Sequence, residues 1–204
     1  MEIIKYNNQG VADLFGEREE LTSNVEGTVK SIIADVRLNG DAALKKYTAQ
    51  FDGYAGESLE VSETELDEAV KSLTPRYIQT LESSIANIKK FHKKQLRGDF
   101  EINEGDRIVG QKVIPVSRAG IYVPGGTAAY PSTVLMNAIP AKIAGVKEII
   151  MSTPVKSDGK VKAEVLAAAK LCGVDKIFKI GGAQAIAALA YGTKAVQWFC
   201  YFSP

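Results

Sequence analysis

From residue 117 onward, short β-branched runs alternate with helix-length segments that stop at glycine, and this rhythm constrains the fold more than any other feature. Residues 120–123 read as a strand. Residues 132–144 read as a helix closed by Gly145, and 148–151 as the next strand. A helix over 161–171 closed by Gly173, a strand over 176–180 and a helix over 183–191 closed by Gly192 complete the pattern. Two parallel strands need a crossover between them, so this alternation predicts parallel βαβ units with right-handed connections. Pro140 falls inside the first of these helices. It removes a backbone donor and predicts a kink there.

The chain before residue 117 has a different texture. Val25, Val29, Ile32 and Val36 recur at helical spacing, and Gly40 can supply a left-handed stop. Asp41 is placed to cap a short helix carrying Leu44 and Tyr47. Ser62 and Glu65 fit a capping box ahead of Leu66, Ala69 and Leu73. Thr74-Pro75 reads as N-cap and first helical position of a long helix reaching towards Leu96, with Ile78, Leu81, Ile85 and Ile88 on one stripe. A hairpin follows, with its turn at Glu104-Gly105-Asp106. Ile108, Val109, Val113, Ile114 and Val116 belong to its returning strand. The fold class is therefore α/β: an N-terminal helical segment and β-hairpin over 1–116, then an incomplete Rossmann-like parallel βαβαβα unit over 117–193. The segment 194–204 stands apart, because "QWFCYFSP" crowds four aromatics into five residues.

Composition excludes several function classes. The net charge is +1 and no basic stripe is interleaved with aromatics, which argues against a nucleic-acid surface. No run of about 18 apolar residues exists to span a membrane. The N-terminus lacks the basic start and apolar core of a signal peptide, and Cys172 and Cys200 form no CxxC pair. Both features fit a reducing cytoplasm. The single histidine, His92, rules out a self-contained multi-histidine metal centre. Flanked by four lysines at the end of an apolar stripe, it reads as a surface residue.

Two loops leave strand ends with glycine pairs, Pro124-Gly125-Gly126 and Gly181-Gly182. Ligands sit at the carboxyl ends of strands in open parallel sheets, and a helix N-terminus favours an anion. The same glycines equally serve tight strand-to-helix turns. Neither loop is GxGxxG, and no GKS or GKT occurs. The second strand ends in Ser152-Thr153-Pro154, without the carboxylate that ordinarily holds an adenosine ribose. Gln184, one turn past Gly181-Gly182, can reach a ligand, cap the helix or face solvent. Tyr122, near a strand end, is a half-buried packing residue or one wall of a ligand slot.

The stretches "RAGIYVPGGTAAYPSTVLMNAIPAKIAGVKEI" and "LCGVDKIFKIGGAQAIAALAYGT" resemble the histidinol dehydrogenase family, and "EGDRIVGQKVIPVSRAG" agrees with them. The resemblance implies an NAD- and zinc-dependent oxidation of L-histidinol to L-histidine by two successive hydride transfers. It also implies two incomplete Rossmann-like domains and an intertwined homodimer whose active sites draw on both chains. In the family a histidine accepts the proton, a neighbouring glutamate activates water, and zinc is held by a glutamine, two histidines and an aspartate. Carried over by motif, the resemblance gives NAD contacts to Tyr122, Pro124 and Gln184. It gives no catalytic residue and no metal ligand to this chain, and His92 matches neither. The family continues from "YGT" to a GPGN loop where this chain has "KAVQWFCYFSP". The expectation is therefore an N-terminal half, with a tail over 197–204 read from a shifted frame or disrupted gene. Such a chain carries only part of an NAD site and is inactive alone. The competing reading is a non-catalytic nucleotide- or partner-binding half-domain.

Overall fold

A computed structural model describes residues 10–125 and 128–196, with side chains from residue 25 on. The expected tail over 197–204 lies outside the described residues. Strands β3 (Arg118–Tyr122), β4 (Glu148–Thr153) and β5 (Lys176–Lys179) form a parallel sheet in the order β3-β4-β5. Helices α5 (Pro131–Ile143), α6 (Ala163–Cys172) and α7 (Gly182–Tyr191) follow them in turn. The alternation read from the sequence is thus present, with boundaries within two residues of expectation. Helix α5 runs through Pro140 without interruption. Before the sheet come α1 (Gly10–Asn39), α2 (Asp41–Asp52), α3 (Glu63–Ser72) and α4 (Pro75–His92). A hairpin of β1 (Phe100–Asn103) and β2 (Ile108–Gln111) precedes β3.

Strand alternation sends successive side chains to opposite faces, and each face builds its own core. Ile149 and Met151 of β4, with Ile121 and Ile177, meet Val134, Leu135 and Ile139 of α5 and the alanine run of α6. Leu81 and Ile85 of α4 and Ala69 of α3 close that core from outside. Ile150 of β4 and Phe178 of β5 point the other way, to Ile32 and Val36 of α1, Leu44 of α2 and Ala185 and Ala188 of α7. Helices α5 and α6 therefore lie on one face and α7 on the other. Gly120 lets α7 approach β3, since a Cβ there would stand 3.0 Å from Leu189 Cδ2. The segments before and after residue 117 share both cores.

Several local expectations hold. Ser62 and Glu65 form the capping box, and Thr74 Oγ1 caps α4 with Pro75 in its first turn. Others need correction. Val25 is exposed, outside the buried stripe of α1. Asp41 does not cap α2. Gly40 is the N-cap, and the Asp41 carboxylate accepts the Ala195 N–H at 3.0–3.1 Å instead. That bond helps seat Val196, which is buried in the second core although it lies in the segment read as a tail. The returning hairpin strand stops at Gln111. Val113, Ile114 and Val116 lie beyond it and are exposed, because the partner strand begins at Phe100, opposite Gln111, and the Val113 N–H donates to Asp99 Oδ1 at 2.7 Å instead of to a ladder.

Residues 59–61 run antiparallel along the outer edge of β5, with Val61 N–H donating to Ile177 O at 2.9 Å. This places α3 over Lys179, whose Nζ reaches Glu65 Oε1 at 2.5 Å with its side chain only 8% exposed. Burial pushes the Glu65 carboxyl up, but the Lys179 and Ser62 hydrogen bonds outweigh it and hold the group below its ordinary value of 4.5. The unfolded chain takes up the Glu65 proton first as pH falls. The stability from the ionised form is thus present above the ordinary value and lost as pH drops through the folded one. We predict that Glu65→Ala lowers stability by about 1–3 kcal/mol, since it deletes the capping box and orphans a buried ammonium. Urea unfolding checks this. Between about pH 5 and pH 3 the Glu65→Gln protein should lose less stability than the parent.

Candidate functional site

The carboxyl ends of β3, β4 and β5 carry the two glycine turns, with Pro154 between them. A Cβ on Gly125 would meet Pro154 Cγ at 2.6 Å, and one on Gly181 would meet Pro154 Cβ at 2.6 Å. Gly181 has ordinary extended backbone, φ −107° and ψ −174°, so its requirement for glycine is steric. Close packing on Pro154 thus accounts for one glycine of each pair without any ligand. Gly182 differs, because its φ of 62° is a conformation that favours glycine.

Two of the side chains singled out in the sequence, Tyr122 and Gln184, meet at this turn. Tyr122 faces the α7 side of the sheet, and its hydroxyl accepts the Gly182 N–H at 3.3 Å. It is therefore half-buried packing and a partner for the first amide of α7 at once. Gln184 was expected to cap α7 or face solvent if it met no ligand. It does neither: it is 1% exposed, and α7 has no side-chain cap. Both its Oε1 and its Nε2 lack a hydrogen-bond partner. Its amide folds back over Gly182, where a Cβ would fall 2.7 Å from Oε1. Pro124 is not part of that turn: it lines a separate hollow with Gly125, Thr153, Pro154 and Val165 on the α6 side of the sheet.

Sequence reading missed two unpaired buried groups on α2, of which Asp52 reaches this corner. Thr48 Oγ1 and Asp52 Oδ2, one turn apart on α2, are shielded from water without partners. Asp52 Oδ2 lies 3.4 Å from where a Cβ of Gly181 would be. Burial raises the Asp52 carboxyl above its ordinary value of 3.8. The available signal was an acidic residue in the last turn of a helix, just before Gly53, where the helix dipole disfavours a negative charge. Below the site, Ser152 Oγ donates to Ile180 O at 2.6 Å and holds the ends of β4 and β5 together.

The corner thus presents an amide, a carboxylate, a hydroxyl and the N-terminus of α7 in one place. Buried polar groups are nearly always paired, so each of these unpaired ones calls for a partner, an ordered water or a ligand. Among the described residues it holds no nucleophile paired with a base. His92 is remote from it in the chain, at the end of α4, with Nδ1 2.6 Å from Gln95 Oε1. Cys172 is buried, and burial pushes its thiol up to about 11, which leaves it an unreactive hydrophobe. Among the described residues, no three His, Cys, Asp or Glu side chains converge. No described helix is long and apolar enough to cross a membrane.

A three-stranded parallel sheet covered on both faces, with two glycine turns at its carboxyl ends, defines a Rossmann-like α/β protein. The family described as histidinol dehydrogenase matches residues 16–199. Histidinol dehydrogenase of Lactococcus lactis is 47% identical over 190 residues, covering 91% of this chain and 44% of the relative. That of Geobacillus kaustophilus is 49% identical over 180 residues, covering 88% and 42%. A crystal structure of histidinol dehydrogenase from Elizabethkingia anophelis superposes with a TM-score of 0.78 at 30% identity, covering 96% of this chain and 42% of that one. The chain belongs to the histidinol dehydrogenase family and spans less than half the length of these relatives. The match takes in residues 194–199, the first part of the segment read as a tail.

Gln184→Leu removes two unpaired buried polar atoms and should raise ligand-free stability by about 1–2 kcal/mol. Gly181→Ala should lower it by about 1–3 kcal/mol, because the added methyl overlaps Pro154. Differential scanning calorimetry of both proteins tests the pair.

Proposed function

We propose that this chain forms the NAD-binding side of a cytoplasmic, homodimeric, zinc-dependent histidinol dehydrogenase. On this reading Tyr122, Pro124 and Gln184 contact the cofactor. The supporting observation is the Gln184 amide, fully buried at the carboxyl end of the sheet with neither polar atom paired. A bound dinucleotide would offer it both donors and acceptors. When bound, NAD+ supplies the hydride acceptor. This chain's own residues bind and orient it. Tyr122 sets the start of α7, Gln184 reads a polar edge, and the Pro124 and Pro154 rings form apolar walls. We assign no proton transfer and no metal ligand to any residue here. Without these, the isolated chain binds cofactor weakly and does not oxidise histidinol.

The exposed apolar hairpin favours a further element of this reading. Phe100, Ile102, Ile108 and Val109 are all exposed, an unusual density for a surface that stays in water. A partner chain in the homodimer would cover them. A nucleotide- or partner-binding module without catalysis remains the second reading, and the same hairpin favours it.

Calorimetric titration of the purified chain with NAD+ should give a single weak site, and Gln184→Ala should weaken it about tenfold. Equal affinity of the two proteins would refute the assignment of Gln184. NADH formation from the isolated chain with histidinol would refute the assignment of no catalytic step.

A further inference from the structure

Asp52 is the least explained group in the crevice. It ends α2, where a negative charge opposes the helix dipole, and no basic residue lies in the last turn to offset it. One carboxylate oxygen is shielded from water and accepts no hydrogen bond. Burial disfavours its ionised form. An asparagine would occupy the same volume at less cost, so the structure itself gives no reason for an acid here.

Its position does give one. Asp52 Oδ2 and Pro154 Cβ both lie within 3.4 Å of a single point, the place a Gly181 Cβ would take. Asp52 therefore stands where β4 and β5 end, beside the first turn of α7. In dinucleotide-binding sheets an acidic side chain at the end of the second strand receives the ribose hydroxyls. Here that strand ends in Ser152-Thr153-Pro154 and offers no carboxylate. We propose that Asp52 is a ligand-positioning residue whose carboxylate accepts hydrogen bonds from the vicinal hydroxyls of a ribose at the Gly181-Gly182 turn. It supplies from α2 the acid that β4 lacks.

The inference rests on reading the crevice as a dinucleotide surface. Oδ2 is shielded from water, so it meets a ribose only once the carboxylate turns about its terminal torsion, which has a broad well. A ribose diol presents two donors in the spacing a carboxylate accepts. A 2′-phosphate at the same place would bring two negative groups together, so Asp52 also selects against the phosphorylated cofactor.

The test uses the full 204-residue chain and its Asp52→Asn and Asp52→Ser variants, titrated calorimetrically with NAD+ and with NADP+. Thermal unfolding without ligand is measured on the same samples. The parent chain should prefer NAD+ by at least about tenfold. Both variants should lose about tenfold in NAD+ affinity and bind the two cofactors alike, while unfolding at the same or a higher temperature. If the variants bind NAD+ as tightly as the parent and still reject NADP+, the proposal falls and the cofactor surface stands. If they unfold earlier and lose both cofactors equally, Asp52 is structural and the proposal falls. If the parent binds neither cofactor, the dinucleotide reading itself fails and takes the proposal with it.

Discussion

A parallel sheet has to be covered on both faces, because its crossovers leave it no face suited to water. In this chain the requirement bears on β4, whose last five residues are all buried. Ile149 and Met151 need one apolar cover and Ile150 needs another. Helices α5 and α6 meet the first need. The second is met by α7 together with α1 and α2, which arrive from the far N-terminal end of the sequence. The helices before residue 117 are thus half of what makes the sheet possible. The same docking brings the C-terminal end of α2 to the β5–α7 turn and creates the crevice.

Much of the fold was legible. The alternation after residue 117 carries short β-branched strands, helix-length segments and glycine stops, and three such signals together leave few alternatives. The caps at Ser62 and Thr74 were legible for a similar reason, since capping chemistry is local. Local signals misled where tertiary packing decides. Val113, Ile114 and Val116 have strand-like composition, but β1 offers no residue beyond Phe100 to pair with them. Asp41 has the right identity for a cap, but its carboxylate finds the Ala195 amide, more than 150 positions away in sequence.

The candidate site was legible only in part. Motif resemblance picked out Tyr122, Pro124 and Gln184, and the structure brings Tyr122 and Gln184 to the same turn. Nothing in the sequence around Gln184 revealed that its amide would be buried with both polar atoms unpaired. Burial of a first-turn residue depends on what crosses above it, which is a property of the assembled layers. Thr48 and Asp52 were invisible for the same reason. Their helix reads as an ordinary amphipathic segment, and only the packed structure shows which residues of it reach the strand ends.

The Pro154 ring in contact with both glycine turns has a mechanical consequence. A five-membered ring has almost no internal freedom, so Gly125 and Gly181 are held at a separation fixed by one rigid body. Neither turn can shift towards the other, and outward displacement of either opens a gap beside the ring. The ring therefore sets the closest approach of Gly125 to Gly181, a lower bound on their spacing fixed by covalent geometry.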